Sequence, residues 1–214
     1  MIIYISKYIN IYIKLILYMS QFYFNTYINA PFKVLCDKFL NYEYNNSNIE
    51  RIYEEESLYN KINYWFSEPT KIIDNLYLGS AFNAASFYKL KNNNIKLIIN
   101  VTNSISKYYQ DDFQYLKYEI EDNNNDSISE FLINSYINIK RFQKNNPESN
   151  ILVHCFAGAS RSASIILYYL VIENRKNNIN YSLEDALDYL KEKRIIINPT
   201  QKFINELKNI TNCR

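Results

Sequence analysis

One stretch of this chain concentrates the residue types that do chemistry. In 214 residues histidine occurs once, at His154, and glycine twice, at Gly79 and Gly158. In a chain so sparing of both, a survivor marks a position where little else serves. His154 and Gly158 both fall in the run His154-Cys155-Phe156-Ala157-Gly158-Ala159-Ser160-Arg161-Ser162. Before it, residues 150–154 read as a buried strand; after it, residues 160–172 read as a mostly apolar helix. A strand, a tight loop of small residues and a helix N-terminus turn successive backbone N–H groups toward one point, which is a cradle for an anion. Gly158 permits the positive φ or close approach such a loop needs, and Ala157 and Ala159 leave space. Arg161 opens into the same place with a planar fork suited to two phosphate oxygens. Cys155 at the start of the loop is exposed to the helix dipole and to Arg161, both of which favour thiolate. A thiolate beneath a bound phosphate is set for in-line attack, and Ser162 can donate a hydrogen bond to it. The plain alternative is an inert buried cysteine in a strand–loop–helix turn, which leaves the spacing of Gly158 and Arg161 unexplained.

These residues need a scaffold, and the pattern from Pro69 onward supplies one. Short apolar runs at 71–73, 76–78, 95–101, 115–120 and 150–154 alternate with helix-period stretches. Phe131, Leu132, Tyr136, Ile139 and Phe142 trace one helix face. Leu183, Ala186, Leu187 and Leu190 trace a second, opened by Ser182 as N-cap. Phe203, Leu207 and Ile210 trace a third, after Pro199. Asn94 suits the left-handed cap that glycine usually fills. The expected fold is α/β, a central and largely parallel sheet flanked by helices, with an N-terminal helical extension. In such sheets a ligand sits beyond the carboxyl ends of the strands.

Residues 1–66 are expected to form that extension, and 67–212 the catalytic domain. Within 1–24, Lys7, Asn10, Lys14 and Gln21 make one narrow polar stripe on an apolar helix. That fits a weak membrane or partner contact, or a chain whose true start is Met19. Ser47 and Glu50 are spaced as a capping box for a linking helix through residue 66. No candidate site residue lies in 1–66, so their removal is expected to leave catalysis intact. A net charge of +2 gives no electrostatic case for nucleic acid. Cys36, Cys155 and Cys213 lie far apart, which fits neither disulfides nor zinc and favours a reducing compartment, cytoplasmic or also nuclear. No His/Asp/Glu cluster has ligand spacing, so no metal or cofactor is expected. A cysteine protease is excluded, because His154 and Cys155 are strand neighbours that point to opposite faces. His154 is expected to turn inward and hold the loop.

The run from His154 to Ser162 resembles the signature of the cysteine-based protein phosphatases, His-Cys, five residues, then Arg-Ser. Ala157-Gly158-Ala159-Ser160-Arg161-Ser162-Ala163 resembles its dual-specificity form. The resemblance covers roughly 68–210, through Leu76-Tyr77-Leu78-Gly79-Ser80, Ile98-Ile99-Asn100-Val101-Thr102 and Arg194-Ile195-Ile196-Ile197-Asn198-Pro199. It departs from the family at Ile195, where proline is usual, and at Thr200, where asparagine is common. The resemblance implies hydrolysis of phosphotyrosine and phosphoserine/threonine on proteins, with kinases among the candidate substrates. It implies Cys155 as nucleophile, residues 156–161 as the phosphate loop, and Asp122 as general acid in the stretch Tyr118-Glu119-Ile120-Glu121-Asp122. Asp126, four residues on, is a second candidate acid, or else an N-cap for the helix starting near Ile128. The alternatives are a phosphoinositide or other non-protein phosphatase, less favoured because residues 156–160 carry no lysine, and a pseudophosphatase that binds without turnover.

Overall fold

The computed structural model describes residues 64–121 and 127–212. The N-terminal stripe, the Ser47–Glu50 capping box, and both Asp122 and Asp126 lie outside those residues. The sheet has five strands: β1 (Thr70–Ile73), β2 (Leu76–Gly79), β3 (Ile95–Asn100), β4 (Gln114–Lys117) and β5 (Asn150–His154). Their spatial order is β1-β2-β5-β3-β4, with β1 antiparallel to β2 and every other pair parallel. The α/β architecture expected from the alternating pattern is therefore present. The register puts Gly79 opposite His154, His154 opposite Asn100, and Asn100 opposite Lys117. Four parallel strands thus end in one row, and the loop after β5 leaves from the middle of it.

Side chains alternate across this sheet as strand geometry requires. Ile98 and Leu152 pack with Leu90 and Phe113 beneath the short helices α1 (Ala81–Ala84) and α2 (Phe87–Asn92). Leu97, Ile99, Ile151 and Val153 face the other way, into the main core. That core is organised by α4 (Arg161–Lys176), whose residues from Ser162 to Ile172 are all buried. Around it stand α3 (Ser129–Asn145), α5 (Leu183–Lys193) and α6 (Gln201–Asn212). Leu132, Tyr136, Ile139 and Phe142 line the buried face of α3, while Phe131 is only partly buried. Ser182 opens α5 through a reciprocal capping box with Asp185. Among the described residues no helix is long and apolar enough to cross a membrane.

Two local expectations are corrected. The run 115–120 is not strand throughout, and β4 stops at Lys117. Its neighbour β3 ends at Asn100, whose carbonyl accepts the last rung from the Tyr118 N–H, while the Val101 N–H turns to the His154 carbonyl. The start of α3 has Ile128 in the N-cap position. The Glu206 carboxylate on α6 accepts from the Ile128 N–H and from the hydroxyls of Ser127 and Ser129. A carboxylate at a helix N-terminus satisfies orphan amides and opposes the dipole, here from 78 residues away.

Candidate active site

The loop from Cys155 to Ser160 leaves the middle of the sheet and runs into α4. Each carbonyl along it is held by a donor. His154 Nδ1 lies 3.1 Å from the Cys155 oxygen, and the Ala81 N–H donates to Phe156 at 2.9 Å. Arg194 Nη2 donates to Ala157 at 2.9 Å, and its Nε to Gly158 at 2.8 Å. The Asn198 N–H donates to Ala159 at 2.9 Å, and Ser164 donates to Ser160 from both backbone and hydroxyl. A peptide unit whose oxygen is tied outward presents its N–H inward. Six consecutive ties turn the loop into the convergent set of donors that an anion requires.

Gly158 makes this path sterically open. Its φ is 71°, and a Cβ there would lie 2.4 Å from the Gly79 carbonyl oxygen and 2.9 Å from Arg194 Nη2. Gly79 is crowded in turn, since a Cβ on it would lie 2.8 Å from Asn83 Oδ1. The two glycines of the chain therefore pack against each other.

Among the described residues, the Gly158 amide and the Ser162 hydroxyl reach the sulfur, each at 3.2 Å from Cys155 Sγ. Cys155 is 2% exposed and sits at the N-terminal end of α4. Ser160, the N-cap of α4, makes no side-chain cap bond; its hydroxyl accepts from the Thr200 N–H instead. Arg161 Nη1 donates to the Ile120 carbonyl at 3.1 Å. That contact ties the segment after β4, two residues short of Asp122, to the phosphate loop.

His154 is fully buried. Because a carbonyl only accepts, the bond to Cys155 places its proton on Nδ1. Nε2 has no hydrogen-bond partner among the described residues. Burial pushes the imidazole pKa down to about 4, so it is neutral at ordinary pH.

Arg194 is the residue whose part in the site the sequence did not reveal. It has no exposed surface, yet it bonds Ala157, Gly158, the Thr70 hydroxyl and the Tyr64 carbonyl. Burial pushes its pKa down to about 10, which leaves it charged at neutral pH. Nothing local in Lys191-Glu192-Lys193-Arg194 separates this buried cation from its solvated neighbours; the only signal is its place in the family-like stretch. Of the two departures from the family pattern, Thr200 has a local role and Ile195 has none among the described residues. Ile195 is 61% exposed in a turn. Thr200 receives the Phe203 N–H on its hydroxyl and so caps α6.

Residues 76–213 match the model of the dual specificity phosphatase catalytic domain. The chain is 31% identical over 140 residues to protein phosphatase Slingshot of Drosophila melanogaster, covering 65% of this chain and 13% of Slingshot. It is 34% identical over 139 residues to human dual specificity protein phosphatase 4, covering 65% of this chain and 34% of that protein. The match thus spans about a third or less of these curated relatives. Among solved structures, DUSP15 superposes with a TM-score of 0.61 at 29% identity, over 67% of this chain and 87% of that one. The human tyrosine phosphatase-like serine/threonine/tyrosine-interacting protein superposes with a TM-score of 0.61 at 27% identity, over 68% and 97%. With the loop, the sheet and the sequence match all in agreement, the chain belongs to the dual specificity phosphatase family through its catalytic domain.

Proposed function

We propose that this protein hydrolyses phosphotyrosine and phosphoserine/threonine on proteins through a cysteinyl-phosphate intermediate. The observation that carries the reading is the sulfur of Cys155 with two donors at 3.2 Å, at the base of a loop whose carbonyls are all tied outward. Donors aimed at a sulfur favour its anionic form. The substrate's phosphoryl oxygens bind the inward N–H groups of residues 156–161 and the fork of Arg161. Sγ attacks phosphorus, the ester P–O bond breaks, and Asp122 gives its proton to the departing oxygen. Water then attacks the cysteinyl phosphate, Asp122 takes back a proton, and inorganic phosphate leaves with the thiolate restored. The tie between Arg161 and the carbonyl of Ile120, two residues before Asp122 in the chain, supports Asp122 in this role. Phosphorylated proteins are the natural partners of such a site, with kinases among them, and a cytoplasmic or nuclear setting suits its thiolate.

The test is hydrolysis of phosphopeptides and para-nitrophenyl phosphate by the full chain and two variants. Cys155→Ser should abolish turnover yet retain phosphopeptide, since the cradle is unchanged. Asp122→Ala should lower kcat on phosphopeptides by about 10²–10⁴-fold, and less on para-nitrophenyl phosphate, whose leaving group scarcely needs a proton. Turnover near wild type in Cys155→Ser would sink the nucleophile assignment. The kinetic pattern in Asp126→Ala alone would move the acid four residues along. Binding of phosphopeptide without any turnover by the wild-type chain would make it a pseudophosphatase.

A further inference from the structure

Residues 64–67 lie ahead of the matched region, which begins at residue 76, and no side chain in them does chemistry. Residues 64–66 are helical and residue 67 is not, and the terminal carbonyls of a helix have no partner within it. Each is met by a side chain from around the phosphate loop. Arg194 Nη2 donates to Tyr64 at 3.3 Å, Ser80 Oγ to Trp65 at 2.7 Å, and Asn83 Nδ2 to Ser67 at 2.7 Å. Lys89 Nζ donates to both Phe66 and Ser67. Lys89 is 7% exposed, and burial lowers its pKa. Two buried cations at a helix C-terminus complement its dipole.

The side chains of this turn point the same way. Trp65 is 2% exposed, and its ring meets Phe156 of the phosphate loop edge-on, at 5.6 Å and 76°. Phe82 packs on Phe66 at 4.4 Å and on both Trp65 and Phe156 at 6.5 Å. The Tyr64 ring lies 5.1 Å from the Arg194 guanidinium carbon, the group that holds the Ala157 and Gly158 carbonyls.

We propose that residues 64–67 are a positioning element of the phosphate loop, with Trp65 bracing Phe156 and Tyr64 bracing Arg194. This rests on the phosphatase reading of Cys155. It also moves the start of the catalytic unit upstream of Tyr64, so that removal of residues 1–66 does not leave the site intact.

Trp65 is the single tryptophan of the chain, so the element carries its own probe. The full-length protein is titrated with sodium tungstate, a phosphate-like oxyanion, while tryptophan emission and competitive inhibition of para-nitrophenyl phosphate hydrolysis are both recorded. Emission should change saturably, with half-saturation at the inhibition constant. Trp65→Leu fills most of the space without the aromatic edge. It should lower kcat and weaken tungstate inhibition together by about tenfold or more, as expected when a reacting group shifts by a fraction of an ångström. Trp65→Phe should restore most of both, and circular dichroism shows whether each variant is folded. Should Trp65→Leu fail to fold, Tyr64→Leu tests the same element through Arg194. Tungstate inhibition with unmoved emission, or folded variants with wild-type kcat and inhibition, would overturn the positioning role and leave the phosphatase reading standing. Absence of both turnover and tungstate binding in the wild-type chain would overturn the phosphatase reading, and this inference with it.

Discussion

A histidine with a depressed pKa links this site to pH. His154 ordinarily titrates near 6.5, and burial pushes it down to about 4. Between those values the unfolded chain holds a proton there and the folded chain does not, so the unfolded state gains as pH falls. Stability contributed by neutral His154 is therefore fully present above about pH 6.5 and is lost as pH falls toward 4, by about 3 kcal/mol at most. His154→Asn keeps a side-chain donor near the Cys155 carbonyl but removes the titration. Its Tm should fall less steeply than wild type between pH 7 and 4.5 in parallel thermal melts. Equal slopes would assign the acid sensitivity to other groups. At this scale the sequence was informative for a chemical reason. His154, Cys155, Gly158, Arg161 and Ser162 lie within nine consecutive residues, so their spacing alone implies a common site. That Gly79 is the residue whose carbonyl excludes a Cβ from Gly158 was not legible, since 79 positions separate the two and only the parallel pairing of β2 with β5 brings them together.

Among the elements, the glycine-poor composition has a structural counterpart. Besides Gly158, four described residues have positive φ, and three of them are asparagine: Asn75, Asn94 and Asn178. Asparagine tolerates the left-handed region better than other side chains, though less well than glycine. Asn94, with φ 45°, takes the conformation its place between α2 and β3 led us to expect. Asn178 ends α4 in a Schellman motif, in which the Ile179 N–H donates to Asn174 and the Asn178 N–H to Arg175. Asn178→Gly should raise stability by a few tenths to about 1 kcal/mol, and Asn178→Ala should lower it by about 1 kcal/mol. Denaturant midpoints rank the three proteins, and a midpoint for Asn178→Ala at or above wild type would contradict the strain argument. Helix faces and caps such as Ser182 were readable because they depend on residues three or four apart. The end of β4 and the cap on α3 were not, because each is set by a partner distant in sequence, β3 in one case and Glu206 in the other.

At the scale of the molecule, Arg194 joins four parts of the chain that lie far apart in sequence. Its guanidinium bonds Tyr64 and Thr70, 130 and 124 residues away, and Ala157 and Gly158, 37 and 36 away. It ties the turn ahead of the sheet, the first strand and the phosphate loop to the end of α5. Its hydrogen-bond partners are neutral oxygens rather than carboxylates, and the Tyr64 ring lies against the guanidinium; the bonds to Ala157 and Gly158 fix those loop carbonyls outward. Replacing Arg194 by methionine fills much of the space but leaves the buried Gly158 oxygen unpaired, at about 1–3 kcal/mol, and the half-buried Ala157 oxygen without its donor. Against a total stability of about 5–15 kcal/mol, that is a large fraction. Lysine keeps the charge but has one nitrogen in place of a planar fork, and cannot reproduce the paired bonds to adjacent carbonyls. Thermal stability should rank wild type above Arg194→Lys above Arg194→Met. Activity on para-nitrophenyl phosphate should follow the same order even at temperatures where all three are folded, because the freed carbonyls no longer hold the N–H groups inward. A methionine variant with wild-type Tm and kcat would show that the loop keeps its shape without the arginine, and the ties from Ala81, Asn198 and Ser164 would then suffice to hold it.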